Sequence, residues 1–280
     1  MRVFLLMTTA LTAAATTLVV PSLAWAAPST CTVNGVPVTG TNITGTSGMD
    51  TINCASGINA GTTVDGGAGQ DRISVVGSAG TVGNAGTIAG GAGNDTITVR
   101  GGTGNPGAPG GPANTGTIDG QDGLDTIILT GGPGGANPTG TGGNGGVGNA
   151  GTILTGAGSN NRINIDAGKG GDGATPGAGG AGNTGGIEGG PDIDLISVHA
   201  GAGGDSTVGG AQGPGGAANV GTIEGLGGTD AIDLEGGVGG PGGASNAPVG
   251  VVDCGAANDT AFFMPANTGI IISCEAGAGH

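Results

Sequence analysis

Bulky and cationic side chains are scarce in this chain. Tyr does not occur, and the only aromatics are one Trp and three Phe. Phe4 and Trp25 fall in the first 26 residues, which leaves Phe262 and Phe263 for everything that follows. A chain of 280 residues normally buries a broad core, and this one lacks the side chains to fill it. It also lacks an aromatic platform on which a sugar could stack. Lys and Arg together number five, against twenty Asp and Glu. That balance argues against nucleic acid and anionic membrane as partners and favours cations. Histidine is limited to His199 and His280, and no C-x-x-C pair accompanies the cysteines, so a zinc centre is disfavoured. A nucleophile–base pair would have to use His199, in the strand-like run LISVHAG. An outward-facing strand His is the simpler account, and no enzyme is expected.

What the chain has instead is glycine, 73 residues of it. Composition alone would fit disorder, but a regular apolar pattern opposes that. Number the first apolar residue of a recurring motif zero. Glycine tends to fall at plus two and plus five, Asp at plus seven, Ile at plus nine, and Val, Leu or Ile at plus eleven. The copies are VDGGAGQDRISV (64–75), IAGGAGNDTITV (88–99), IDGQDGLDTIIL (118–129), IEGGPDIDLISV (187–198) and IEGLGGTDAIDL (223–234). LTGAGSNNRINI (154–165) is degenerate, with Asn161 in place of Asp. ITGTSGMDTINC (43–54) and VDCGAANDTAFF (252–263) are weaker. Just upstream, a second signature of the type NAGTI starts at Asn84, Asn114, Asn149, Asn183 and Asn219, at intervals of 30, 35, 34 and 36 residues. The one at Asn149 is one residue out of phase with its degenerate motif.

Ile97 and Val99 alternate with Thr96 and Thr98, the period of a half-buried strand. One strand ends near zero and another begins near plus eight. The turn between them needs positive φ, which glycine and Asn supply without Cβ strain. One such pair has too little apolar surface to fold alone, whereas stacked copies build a narrow continuous core. The expectation is an all-β chain: a parallel β-solenoid, either a β-helix or a one-sided β-roll, of about seven or eight rungs. The recurrent Asn either forms a stacked ladder at another corner or bonds only its own turn.

Residues 1–26 read as a signal peptide: Arg2, an apolar run to Val20, then the Ala24-Trp25-Ala26 cleavage site. An uncleaved membrane anchor is the alternative. Cleavage gives a secreted, extracellular chain, not attached to membrane, with four Lys and Arg against twenty acids and a formal charge of −16. Export permits disulfides. Residues 27–58 then read as an N-terminal cap, 59–250 as the repeat solenoid and 251–280 as a C-terminal cap. Cys31 and Cys54 bracket the first weak motif, and Cys254 and Cys274 occupy matching places in VVDC and IISC. Neighbouring strands would hold such a pair about 4.8 Å apart, within disulfide reach. Cys31–Cys54 and Cys254–Cys274 are the expected pairs, one stapling each open end. Glycine- and proline-rich segments near 101–113, 131–148, 168–182, 201–218 and 236–250 separate the motifs. Gly101, Gly104, Gly107 and Gly110 fall every third residue, the period of polyproline II. Solvated flexible loops and arms packed through their glycine edges are both open readings.

Stacking places Asp71, Asp95, Asp125, Asp194, Asp230 and Asp259 in one column, with Asn161 interrupting it and Asp50 extending it. Carboxylates one rung apart, at about 4.8 Å, repel by about 1 kcal/mol even in water. Such a column needs a cation, protonation or full exposure. Carboxylates with turn carbonyls suit a hard divalent ion, and Ca²⁺ tolerates loose oxygen geometry. GGAGQDRIS (66–74) and GGAGNDTIT (90–98) resemble the GGxGxDxUx nonapeptide of RTX, or haemolysin-type, calcium-binding repeats. The resemblance implies a β-roll in which Asp71 and Asp95 supply carboxylates and Gly66, Gly67, Gly90 and Gly91 the carbonyl-bearing turns. Asp125, Asp194 and Asp230 match at the Asp position. The likeness covers less than a third of the chain, and long spacers separate nonapeptides that run in tandem in that family. The expected function is a secreted, non-catalytic, calcium-binding repeat protein with a structural role among cell-surface or matrix components. The alternatives are an adhesin or ice-binding module using Thr rows (Thr96, Thr98, Thr126) or packed glycine arms, and a carbohydrate-active β-helix enzyme.

Overall fold

Ile73, Ile97, Ile127, Ile163, Ile196 and Ile232 lie in register, each on the strand beside the last. This computed structural model describes residues 27–276 except 159, 241–246, 248, 249, 257 and 265–267. The signal-peptide reading, Ser159 and His280 therefore lie outside the described residues. Every described element is a strand, and most belong to two long, largely parallel sheets. One is eleven-stranded and carries the plus-eight to plus-twelve strands, such as Thr96–Arg100, Thr126–Thr130, Asn161–Asp166 and Asp194–His199. The other is nine-stranded and carries the shorter strands that enter the motif, such as Thr63–Asp65, Thr87–Ala92 and Thr117–Asp122. Successive copies therefore form the rungs of a β-solenoid-like fold, with apolar side chains from both sheets meeting in one narrow core.

That core is almost wholly aliphatic. Ile88, Ile97 and Val99 are fully buried, as are their counterparts Ile187, Ile196 and Val198. Each such side chain contributes roughly 1.5–3 kcal/mol on removal from water, so a core one or two side chains wide suffices if it is long. The register also settles the phase of the degenerate motif. Ile153 pairs with Ile118 and Ile187 and is buried, while Leu154 is half-exposed. The turn from Ile153 to Asn161 is one residue longer than in the neighbouring rungs.

The corner Asn residues form a ladder. Asn84 Nδ2 donates to Asn114 Oδ1 at 2.8 Å, Asn114 to Asn149 at 2.8 Å, and Asn149 to Asn183 and Asn183 to Asn219 at 2.9 Å. At the N-terminal end an antiparallel hairpin, Ser29–Val33 with Val36–Gly40, pairs onto Thr51–Cys54. Cys31–Cys54 and Cys254–Cys274 are both bonded, with Cα separations of 4.2 and 5.1 Å.

The glycine-rich segments at 101–113, 131–148, 168–182 and 201–218 are ordered arms. Each of these four leaves one sheet, turns and returns towards the Asn corner, and outgoing and returning arms are bonded to one another every third residue. Gly146 N–H donates to Gly132 O, Gly168 to Gly146, Gly180 to Gly168 and Gly201 to Gly180, at 2.7–2.9 Å. Three residues away the same relation repeats, with Gly143 donating to Gly135 and Gly171 to Gly143. This is the polyproline-II period turned into lateral bonding. It demands glycine: a Cβ on Gly146 or Gly168 would stand 2.1 or 2.0 Å from a backbone carbonyl of another arm.

Candidate functional site

The column of acids forms as the recurrence implies, but it lies inside the turn. Asp71, Asp95, Asp125, Asp194, Asp230 and Asp259 are all buried, none more than 3 % exposed. One carboxylate oxygen has a structural task. Asp71 Oδ1 accepts the N–H of Asp50 at 2.7 Å, Asp95 that of Asp71 at 2.7 Å, and Asp125 that of Asp95 at 2.8 Å. Asp230 and Asp259 serve Asp194 and Asp230 in the same way at 2.7 and 2.8 Å. These five bonds pin one rung to the next through a carboxylate acceptor. Asn161 fills the gap, accepting from the N–H of Asp125 at 2.8 Å.

The second oxygen is different. Oδ2 of Asp71, Asp95, Asp125, Asp230 and Asp259 is buried with no hydrogen-bond partner. In the turns of Asp71, Asp95, Asp125 and Asp230 it lies against the plus-two glycine, which explains that glycine. A Cβ on Gly66 would stand 2.7 Å from Asp71 Oδ2 and 2.2 Å from the carbonyl oxygen of Gly90 in the next rung. The same point beside Gly90 is flanked by Asp95 Oδ2 at 2.8 Å and Gly120 O at 2.6 Å; beside Gly225 it is flanked by Asp230 Oδ2 at 2.5 Å and Cys254 O at 2.3 Å. Gly67 and Gly91 do a separate job: they hold positive φ, at 99° and 109°, and Gly67 O accepts the N–H of Ala92.

Burial pushes the carboxyls of Asp125 and Asp230 up from their usual range, each to about 7. It also raises Asp71, Asp95 and Asp194, against the opposing effect of the N–H each accepts. Asp50 at the column's end goes the other way, because the Thr46 N–H and hydroxyl, with Asn34, hold its carboxylate low. The acids at plus one, including Asp65, Asp119 and Glu188, are not buried.

The residues therefore fit a hard cation in one respect: a buried carboxylate oxygen without a hydrogen-bond partner lies in a turn rich in backbone carbonyls. Among the described residues no three His, Cys, Asp or Glu side chains converge as a metal cluster, so each turn offers one carboxylate supplemented by backbone oxygens. Thr96 and Thr126 align on the outer face, with Thr98 beside Ile128, but Arg72 and Arg162 flank them in the same row. Two residues that sequence reasoning missed, Ser197 and Asp166, meet His199 on this face. Ser197 Oγ lies 3.1 Å from His199 Nε2, and Asp166 Oδ1 lies 3.0 Å from His199 Nδ1. The only sequence signal would have been the alternation of SVH combined with the register of the preceding rung.

No protein-family model matches this chain, and no curated protein or solved structure matches it.

Proposed function

We propose that this chain is an extracellular repeat scaffold, structural in role, whose buried aspartate column binds Ca²⁺. The observation that carries this reading is the row of buried Oδ2 atoms without a hydrogen-bond partner, at Asp71, Asp95, Asp125, Asp230 and Asp259. An uncompensated buried carboxylate is too costly to keep, so each needs positive charge: a cation or a proton. Asp71, Asp95, Asp125, Asp194, Asp230 and Asp259 would supply carboxylates, and the turn glycines Gly66 and Gly90 would supply carbonyls. Ca²⁺ supplies charge neutralisation and oxygen-rich coordination when bound. The test is calorimetric titration of chelator-treated protein with Ca²⁺ at pH 7.5, followed by thermal unfolding. Binding with a higher Tm is expected, by linkage to the folded state. No heat and an unchanged Tm at millimolar Ca²⁺ would overturn the ion reading and leave protonation as the means of neutralisation.

A second reading, a surface-binding module such as an adhesin or ice-binding protein, is favoured by the laterally bonded glycine arms, which make a firm layered wing beside the solenoid. Thermal-hysteresis and cell-adhesion assays on the whole chain separate it from a purely structural role.

A further inference from the structure

We propose that Ser197, His199, Asp166 and Asn164 form an acyl-transfer site on the outer face of the eleven-stranded sheet. It is independent of the aspartate column. The four residues come from two adjacent parallel strands, Asn161–Asp166 and Asp194–His199, whose register sets Asn164 beside Ser197 and Asp166 beside His199. Ile163, Ile165, Ile196 and Val198 alternate with them and are buried, so these four side chains share the outward face. The core beneath fixes the strands, and the ladder fixes the square.

The bonds run in the order acyl transfer requires. His199 Nδ1 meets Asp166 Oδ1 at 3.0 Å and His199 Nε2 meets Ser197 Oγ at 3.1 Å. A neutral imidazole satisfies both with one tautomer: Nδ1–H donates to the carboxylate, and the Nε2 lone pair accepts the serine hydroxyl. That leaves Nε2 ready to take the Ser197 proton. Asp166 is a positioning residue that selects the tautomer. Asn164 is the strand neighbour of Ser197 and donates one Nδ2–H to Asp166 Oδ2 at 3.4 Å; in this proposal its second Nδ2–H is the donor to a developing oxyanion. Asp233 and Glu235 flank Ser197 and His199 on the next strand, which disfavours anionic substrates. On the other side, Thr130 pairs with Asp166 and lines a cavity of about 390 Å³ with Val76, Arg100 and Pro133. The substrate class is a neutral carboxylic ester, with its acyl or alcohol part extending towards that cavity.

As Ser197 Oγ bonds to the ester carbonyl carbon, its proton passes to His199 Nε2. The imidazolium then gives that proton to the alkoxide oxygen as the carbon–oxygen bond breaks, and the alcohol departs. Water repeats the sequence: His199 takes one proton, the hydroxide oxygen bonds to the acyl carbon, and Ser197 Oγ leaves and recovers the proton.

The test uses the full chain with an alkyl fluorophosphonate, which labels activated serines, and p-nitrophenyl acetate. Mass spectrometry should place the phosphonyl group on Ser197. His199→Ala should slow labelling and ester hydrolysis by about 100-fold or more, the contribution of a positioned base. Asp166→Asn should slow both and change the pH profile, whereas a merely structural role would leave that profile unmoved. Ser74→Ala, on the same outer row without a His neighbour, should change nothing. The three substitutions lie outside the core, and circular dichroism checks their fold. Labelling of Ser197 no faster than that of the exposed Ser47, or equal in His199→Ala, would overturn the proposal and leave a surface hydrogen-bond chain.

Discussion

The backbone N–H of Asp125 donates to Asn161 Oδ1 at 2.8 Å, so in one rung an amide does what carboxylates do elsewhere in the column. Asn161 also donates from Nδ2 to Gly158 O at 3.0 Å, leaving neither end of its side chain idle. Asp125, by contrast, buries an unpartnered oxygen. Asp125→Asn should therefore raise Tm in chelator at pH 7.5, because it keeps the acceptor for Asp95 and removes a buried charge. Asp125→Ala removes the acceptor and strands a buried N–H, at a cost of about 1–3 kcal/mol. Circular dichroism melts of the two variants check this. An Asn variant as unstable as the Ala variant would show that the charge itself is needed, as an ion site requires.

Without metal, stability should fall as pH rises. The folded-state pKa of Asp125 and of Asp230 is about 7, well above an unfolded carboxyl near 3.9. Between those values the folded state holds protons that the unfolded state has released. Stability is therefore fully present below the unfolded pKa and is lost as pH climbs through the folded one. Denaturant midpoints in EDTA should decline from pH 4 to pH 7.5 and level off above, with a shallower decline in Asp125→Asn. Asp50, held low by Thr46, contributes the opposite slope at the acid end. Ca²⁺ should flatten the decline if it replaces the protons.

The sequence carries the solenoid because each rung repeats the same few constraints. Ile at zero and plus nine and Asn before GTI become neighbours under one translation along the stack, so a linear interval translates directly into contact. The cysteines meet differently: Cys31 comes from an antiparallel strand, and the ladder register sets Cys254 one residue short of Cys274. The direction in which Asp71 and its counterparts point was not legible. The recurrence left a cation, protonation or full exposure open for these acids, and only the packed backbone reveals that a Cβ on Gly66 would crowd Asp71 Oδ2. Ser197 and Asp166 were equally hidden. Asp166 and His199 lie 33 positions apart, and the intervening arm has no fixed length from rung to rung. Their meeting depends on a ladder register that spacing alone does not determine.

The Asn ladder should prove the most sensitive polar element. Asn149 accepts from Asn114 Nδ2 at 2.8 Å and from Gly151 N–H at 3.2 Å, and donates to Asn183 Oδ1 at 2.9 Å. It is fully buried. Asn149→Ala therefore leaves donors and acceptors unpaired in two rungs at once, and a loss of about 3 kcal/mol is expected. Asn84 stands at the ladder's start, with Ile58 rather than another Asn in the preceding rung, so Asn84→Ala should be milder. Urea unfolding of both gives the comparison; equal losses would mean that each Asn acts only within its own turn.

The glycine arms make the sharpest distinction between shape and flexibility. If they were solvated loops, exchanging glycine for alanine would be harmless or mildly stabilising, through the unfolded chain's lower entropy. In the packed arms, Gly146 has Gly111 O 2.1 Å from where its Cβ would be, and the obstacle is backbone that cannot rotate aside. Gly146 also lies in a bonded row, donating to Gly132 O and accepting from Gly168 N–H. Gly146→Ala should push the arms apart, lower Tm and speed amide exchange at Gly132 and Gly168. Gly48→Ala is the control, because nothing but Thr46 Oγ1 comes within 4 Å, at 3.9 Å. Hydrogen-exchange mass spectrometry over residues 131–182 reads the result. Unchanged protection in Gly146→Ala would mean that the arms are held by their ends alone, and the lateral bonds would then contribute nothing to the wing's rigidity.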